Sequence, residues 1–119
     1  MDATELHFFR SLLLREKSSI LNKTTEFKNE QREEHEKVTD EAELASADLS
    51  LNLSIQQLER SRMTLVQIER ALGKISEGTY GQCEECGAEI GEGRLRARPL
   101  ATLCIDCMED AEQGRHPVH

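Results

Sequence analysis

The sequence predicts a mainly α protein: a long antiparallel coiled-coil hairpin and a small four-cysteine zinc-finger head with a short C-terminal helix. Three observations predict it. Apolar residues recur at every seventh position along two stretches poor in Gly and Pro, the pattern of helices packed as a coiled coil. All four cysteines fall in two pairs, Cys83-x2-Cys86 and Cys104-x2-Cys107, the spacing with which thiolates close on a tetrahedral zinc ion. The 119 residues include three Phe, one Tyr and no Trp, with 32% charged, too few aromatics for a large globular core and suited to long solvated helices.

From about Thr4 to Lys37 there is no Pro or Gly, and Leu6, Leu13, Ile20 and Phe27 form a heptad stripe that Phe9, Leu12 and Leu14 broaden near its start. The segment from Lys28 to Lys37 is nearly all polar, which reads either as a helix end standing in water or as a plain solvated face. A second stripe runs through Leu44, Leu51, Leu58, Leu65 and Leu72. Ile55, Ile68 and Ile75 fill the complementary position, while Ala47, Ser54 and Ser61 are small enough for a neighbouring helix to approach. Arg62 and Glu69 interrupt the seam, pairing across it or marking where it turns outward. The segment Glu77-Gly78-Thr79-Tyr80-Gly81 ends the helix.

The two stripes match in antiparallel register. Phe27 pairs with Leu51, Ile20 with Leu58, Leu13 with Leu65 and Leu6 with Leu72, all centred on residue 39. A turn is therefore expected around Val38 to Glu41, with Asp40 as N-cap, Glu43 at the capping-box position and Leu44 packing back on residue 39 or Val38. No Gly or Pro forces the reversal, so the rival is an unbroken helix over about 4–76 that dimerises as a parallel zipper. The hairpin occupies 1–76 with its tip near 38–43, and the finger with its helix occupies 77–115.

Within the finger, Gly87 directly after Cys86 suits a sharp knuckle. The segment from Gly87 to Pro99 is too Gly-rich for a helix and places Arg94, Arg96 and Arg98 in a loop. Ile90, Leu95 and Leu100 or Leu103 cover one side of the metal site, a core so small that it needs the ion. Ile105, Met108 and Ala111 mark a short helix from Cys104 to about Gly114. Two disulfides or a redox dithiol are the competing readings of the cysteines. No secretory signal or thioredoxin-like strand pattern accompanies them, although iron could fill the same four-sulfur site. His116 and His119 are left out because four sulfurs already complete the set.

The formal charge is -8, and zinc with four thiolates would add about two more negative charges. Such a field disfavours naked nucleic acid, whose binding rests on Lys and Arg, so the expected partner is a protein and direct DNA binding is not expected. No run of 18 apolar residues spans a membrane, and the opening Met1 to Glu5 is not a basic targeting region. A reducing compartment, the cytoplasm, and a monomeric state are expected. No pocket-forming fold accompanies a pair of carboxylates, so the chain does not read as an enzyme.

The run Gly81-Gln82-Cys83-Glu84-Glu85-Cys86-Gly87-Ala88-Glu89-Ile90-Gly91, then Arg94 to Pro99, then Leu103-Cys104-Ile105-Asp106-Cys107, resembles the DksA/TraR family of bacterial transcription regulators. The resemblance covers most of the chain from about residue 38 onward. It implies a zinc-finger head on a coiled-coil hairpin that does not bind DNA. Such proteins enter the secondary channel of RNA polymerase, bring the hairpin tip toward the catalytic magnesium and destabilise open complexes at sensitive promoters, notably ribosomal ones. The family's acidic pair and nearby alanine fall on Asp40, Glu43 and Ala45, with glutamate where aspartate is usual. Basic residues that bind the alarmone ppGpp in one branch correspond to Gln67, Arg98 and Met108, with Arg60 close by. Gln67 and Met108 replace lysines, so the resemblance implies a ppGpp response weakened or lost. It also implies a shorter N-terminal region than the long members have. An elongation-type polymerase factor without ppGpp response and a zinc-containing coiled-coil adaptor remain the alternatives.

Overall fold

The computed structural model describes residues 1–36 and 40–114. Four helices follow one another: α1 (Ala3–Glu36), α2 (Glu41–Glu77), α3 (Glu92–Ala97) and α4 (Ile105–Glu112). The long helices α1 and α2 form the expected antiparallel hairpin. Val38 and Thr39, the centre of the expected turn and the proposed seat of Leu44, lie outside the described residues.

Each helix start and stop has a local cause. The Asp2 carboxylate accepts the Glu5 amide at 2.8 Å, capping α1 with a glutamate at the third helical position. Asp40 precedes α2, and its carbonyl accepts the Leu44 amide at 2.8 Å. At the other end of α2, Gly78 adopts φ 82°. Its amide bonds to the Ile75 carbonyl at 3.3 Å and the Thr79 amide to the Lys74 carbonyl at 2.9 Å. These two bonds make a Schellman motif, which satisfies carbonyls the helix leaves open.

The chain divides into two compact units, Leu14–Ile68 and Met1–Leu13 with Glu69–His119. In the helical unit, Ile68 is fully buried and Ser54 nearly so, with the Ser54 hydroxyl donating to the Ser50 carbonyl at 2.9 Å. Ile20, Phe27, Leu51, Leu58 and Leu65 are half-buried. Ile20 and Leu58 line one cavity of about 280 Å³, whereas in an unbroken helix they would stand about 57 Å apart. That contact removes the parallel zipper as the fold of this chain. Arg62 and Glu69 are exposed beside the buried Ile68. Three expected core positions are corrected: Leu14 is 42%, Leu44 37% and Ile55 44% exposed. A two-helix hairpin shields one face of each helix, and side chains at the margin of a broad stripe stay wet.

In the finger unit the core is aromatic and aliphatic. Phe9, Leu13 and Leu95 are fully buried, joined by Ala71, Tyr80 and Ile90. The Phe9 ring lies 5.4 Å from Tyr80 and 5.1 Å, edge-on, from Phe8, spacings at which aromatic pairs attract. The expectation of a helix-free segment between Cys86 and Cys104 is corrected by α3. Gly91 at φ 102° turns the chain and its carbonyl accepts the Leu95 amide at 3.1 Å. Burial of Leu95, at about 1.5–3 kcal/mol for such a side chain, rewards the single turn that the glycines weaken. Pro99 lies just beyond it, where a helix cannot continue. Arg94 and Arg96 therefore lie on a helix.

Candidate metal centre

The first cysteine pair sits on a knuckle made by backbone bonds. The Cys83 amide donates to the Ala88 carbonyl at 2.8 Å, and the Gly87 amide to the Cys83 carbonyl at 3.0 Å. Gly87 has φ 76°, and a Cβ there would meet nothing within 4 Å. Its requirement is thus conformational: a side chain would be strained by the backbone, not by a neighbour. The second pair is set by α4. Cys104 is its N-cap, with its carbonyl accepting the Met108 amide at 2.9 Å, and Cys107 lies in the first turn. The Glu84 amide donates to Thr102 at 2.9 Å, which fastens one knuckle to the approach to the other.

These bonds bring four sulfur atoms within 4.8 Å of one another, the one such group of metal-ligating side chains among the described residues. Cys86 Sγ and Cys104 Sγ are 3.8 Å apart. Zinc with Zn–S bonds of about 2.3 Å has a tetrahedral edge of about 3.8 Å. The cysteines are free, and that separation is far beyond the roughly 2.05 Å of a disulfide. Cys83 is buried, Cys86 exposed, Cys104 and Cys107 half-buried.

The sulfurs differ electrostatically. Burial pushes the Cys83 thiol up, but the backbone amides of Cys86, Cys104 and Glu85 point at its sulfur and win, bringing it down to about 6. At Cys86 the Ala88 amide pulls downward, yet the neighbouring Cys83 sulfur leaves the thiol above its ordinary value. Cys107 is pushed up by the adjacent Cys104 sulfur and by desolvation. Crowded thiolates repel one another, and a dication at the centre removes the conflict. Soft sulfur donors in tetrahedral array suit zinc.

Residues 78–113 match the family model described as prokaryotic dksA/traR C4-type zinc finger, and residues 5–75 match that of the DnaK suppressor protein DksA, N-terminal domain. The chain belongs to the DksA/TraR family. The RNA polymerase-binding transcription factor DksA of Caulobacter vibrioides is 35% identical over 119 residues, all of this chain and 83% of that protein. The protein of the same name from Escherichia coli K12 is 32% identical over 112 residues, 94% of this chain and 74% of that protein. The structure of transcription factor DksA2 from Pseudomonas aeruginosa superposes with a TM-score of 0.88 at 39% identity, covering 98% of this chain and 90% of that one. DksA/TraR relatives are thus named as transcription factors that bind RNA polymerase, a regulatory and non-enzymatic role. As in other C4 fingers, the four cysteines hold one structural zinc ion.

The remaining residues singled out in the sequence fall on several elements. Asp40, Glu43 and Ala45 are exposed at the start of α2. Arg60 and Gln67 are exposed on α2 in the helical unit, while in the finger unit Arg98 is exposed and Met108 half-buried. The arginine triad is split by its contacts. Arg94 Nε donates to the Leu103 carbonyl at 3.3 Å. Arg96 bonds Glu92 at 2.8 Å and lies 4.4 Å from the Phe8 ring centroid. Arg94 thus ties α3 to the approach to Cys104, and Arg96 pairs along the exposed side of α3 and covers Phe8, roles that the alternating sequence does not signal. Also unforeseen is Tyr80, whose aromatic neighbour Phe9 comes from the other end of the chain. Among the described residues no helix is long and apolar enough to cross a membrane.

Proposed function

We propose that this chain binds bacterial RNA polymerase through its secondary channel and places the acidic start of α2 near the catalytic centre, lowering the stability of promoter open complexes. The observation that carries the proposal is the exposed trio Asp40, Glu43 and Ala45 at the start of a long helix, in a chain similar along its whole length to a polymerase-binding transcription factor. Carboxylates brought near a divalent ion change its field and compete for its ligands. The run of α1 from Leu14 to Glu36 is about 35 Å long, a reach suited to a narrow channel. In functional terms the arm is 1–76 and the finger 77–115, the finger serving as the folding clamp.

Arg60 and Arg98 serve as polymerase contacts in this reading. Gln67 and Met108 offer no charge to a phosphate, so ppGpp adds little to the activity. The partner is the enzyme and not the promoter DNA, consistent with a formal charge of -8 that disfavours a polyanion.

The test pairs competition against a known channel-binding factor with transcription from a ribosomal promoter. Asn caps helices about as well as Asp, so Asp40→Asn should leave the fold and the competition constant unchanged while at least fivefold more protein is needed for half inhibition. Unchanged inhibition by that variant rejects the tip mechanism. Failure of the unaltered chain to compete rejects the channel.

A further inference from the structure

The turn after α3 is held at several points, and its first residue is an exposed arginine. The Arg98 amide donates to the Arg94 carbonyl at 2.7 Å and the Ala101 amide to the Arg98 carbonyl at 3.0 Å. Residues 98–101 thus form a β-turn with Pro99 at its second position, where the ring sets φ in advance. The Pro99 carbonyl is in turn taken by the Tyr80 hydroxyl at 2.8 Å. Tyr80 is 7% exposed, and its ring lies 5.4 Å from the fully buried Phe9. A rigid aromatic post therefore carries a hydroxyl into the turn. The backbone of Arg98 is fixed on both sides, whereas its side chain stands in solvent.

We propose that Tyr80 is a positioning residue for Arg98: by holding the Pro99 carbonyl, its hydroxyl fixes the turn from which the Arg98 guanidinium meets a carboxylate of the polymerase. The proposal rests on the polymerase reading given above. Its physical content is preorganisation. A long cationic side chain loses rotamer freedom when it binds, and a fixed backbone keeps that loss from being compounded by ordering of the loop. The ring of Tyr80 supports the finger core, and the hydroxyl is available for a second role because phenylalanine would fill the same space. Guanidinium and carboxylate pair in a planar two-bond geometry that rewards a fixed donor.

The experiment compares four zinc-loaded full-length chains: unaltered, Tyr80→Phe, Arg98→Ala and the double variant. Each is measured in competition for polymerase with a channel-binding factor, and amide exchange is followed at Ala101. Loss of one net hydrogen bond corresponds to about a fivefold change. Tyr80→Phe should therefore weaken competition about fivefold and speed Ala101 exchange by a similar factor, with one zinc retained. The double variant should compete no more than about twofold worse than Arg98→Ala alone, since the hydroxyl acts only through that guanidinium. Pro99→Ala, which keeps the carbonyl and frees φ, serves as a second route and should also weaken competition with Tyr80 intact. Competition by Tyr80→Phe equal to that of the unaltered chain, or factors that simply multiply in the double variant, would overturn the assignment while leaving the channel reading in place. If the unaltered chain does not compete at all, the channel reading falls, and this inference with it.

Discussion

Gly73 and Gly78 lie five residues apart, and alanine at either should move stability in opposite directions. At both positions a Cβ would meet nothing within 4 Å, so packing cannot separate them. Gly73 is an interior residue of α2, where alanine is favoured over glycine by about 0.8–1.0 kcal/mol. Gly78 sits at φ 82° in the Schellman motif, and a left-handed backbone costs an L side chain about 1–2 kcal/mol. The gap between the variants is about 2–3 kcal/mol, all of it from backbone conformation. At roughly 3–6 °C per kcal/mol for a chain of this size, Gly73→Ala should raise Tm by about 2–6 °C and Gly78→Ala should lower it by about 3–12 °C. Both residues belong to the finger unit, so calorimetry of the zinc-loaded protein at fixed zinc should report the same transition for each. Shifts of the same sign, or a Gly78→Ala melt that coincides with the unaltered one, would refute the assignment of these changes to φ alone.

Two further outcomes follow from burial and from the sulfur site. Leu95→Ala, at a fully buried position, should destabilise the finger by about 2–5 kcal/mol in urea denaturation. Leu53→Ala, at a residue 59% exposed, should stay within about 0.5 kcal/mol of the original; similar losses at both would contradict the core described above. In the metal-free chain, Cys83 is depressed from 9.0 to about 6. Its contribution to stability is therefore fully present above 9.0 and is lost as pH falls through about 6. Thiolate absorbance should begin to rise near that pH, with Cys86 and Cys107 ionising only above 9.0, and the absence of any ionisation near that pH would contradict the aimed amides.

The hairpin and the zinc site were legible because each rests on spacing. Heptads put Leu13 and Leu58 on seams whatever surrounds them, and two x2 pairs need only be brought together. Cases decided by tertiary context were not legible. The turn at α3 exists because Leu95 finds a buried seat and Glu92 pairs with Arg96, facts that outweigh Gly91 and Gly93 in a local reading. Phe9 was read as the broad edge of a stripe, yet it is fully buried because Tyr80, far along the chain, covers it. Ile55 lies four residues after Leu51 and thirteen before Ile68, off both seven-residue series, and stays exposed because a single partner helix cannot cover every apolar flank.

The bracing of Arg94 and Arg96 bears on how the molecule behaves at a distance. A row of arginines suggests a cationic patch, but Glu92 offsets one of the three charges, and the acidic residues of the chain outweigh the rest. At long range the chain presents its formal charge of -8. Approach to another acidic surface is therefore slowed in dilute buffer and eased as ions shorten the range of the field to about 8 Å at physiological strength. Recognition is left to groups that act only after contact, so that ionic strength governs the rate of encounter more than the identity of what is encountered.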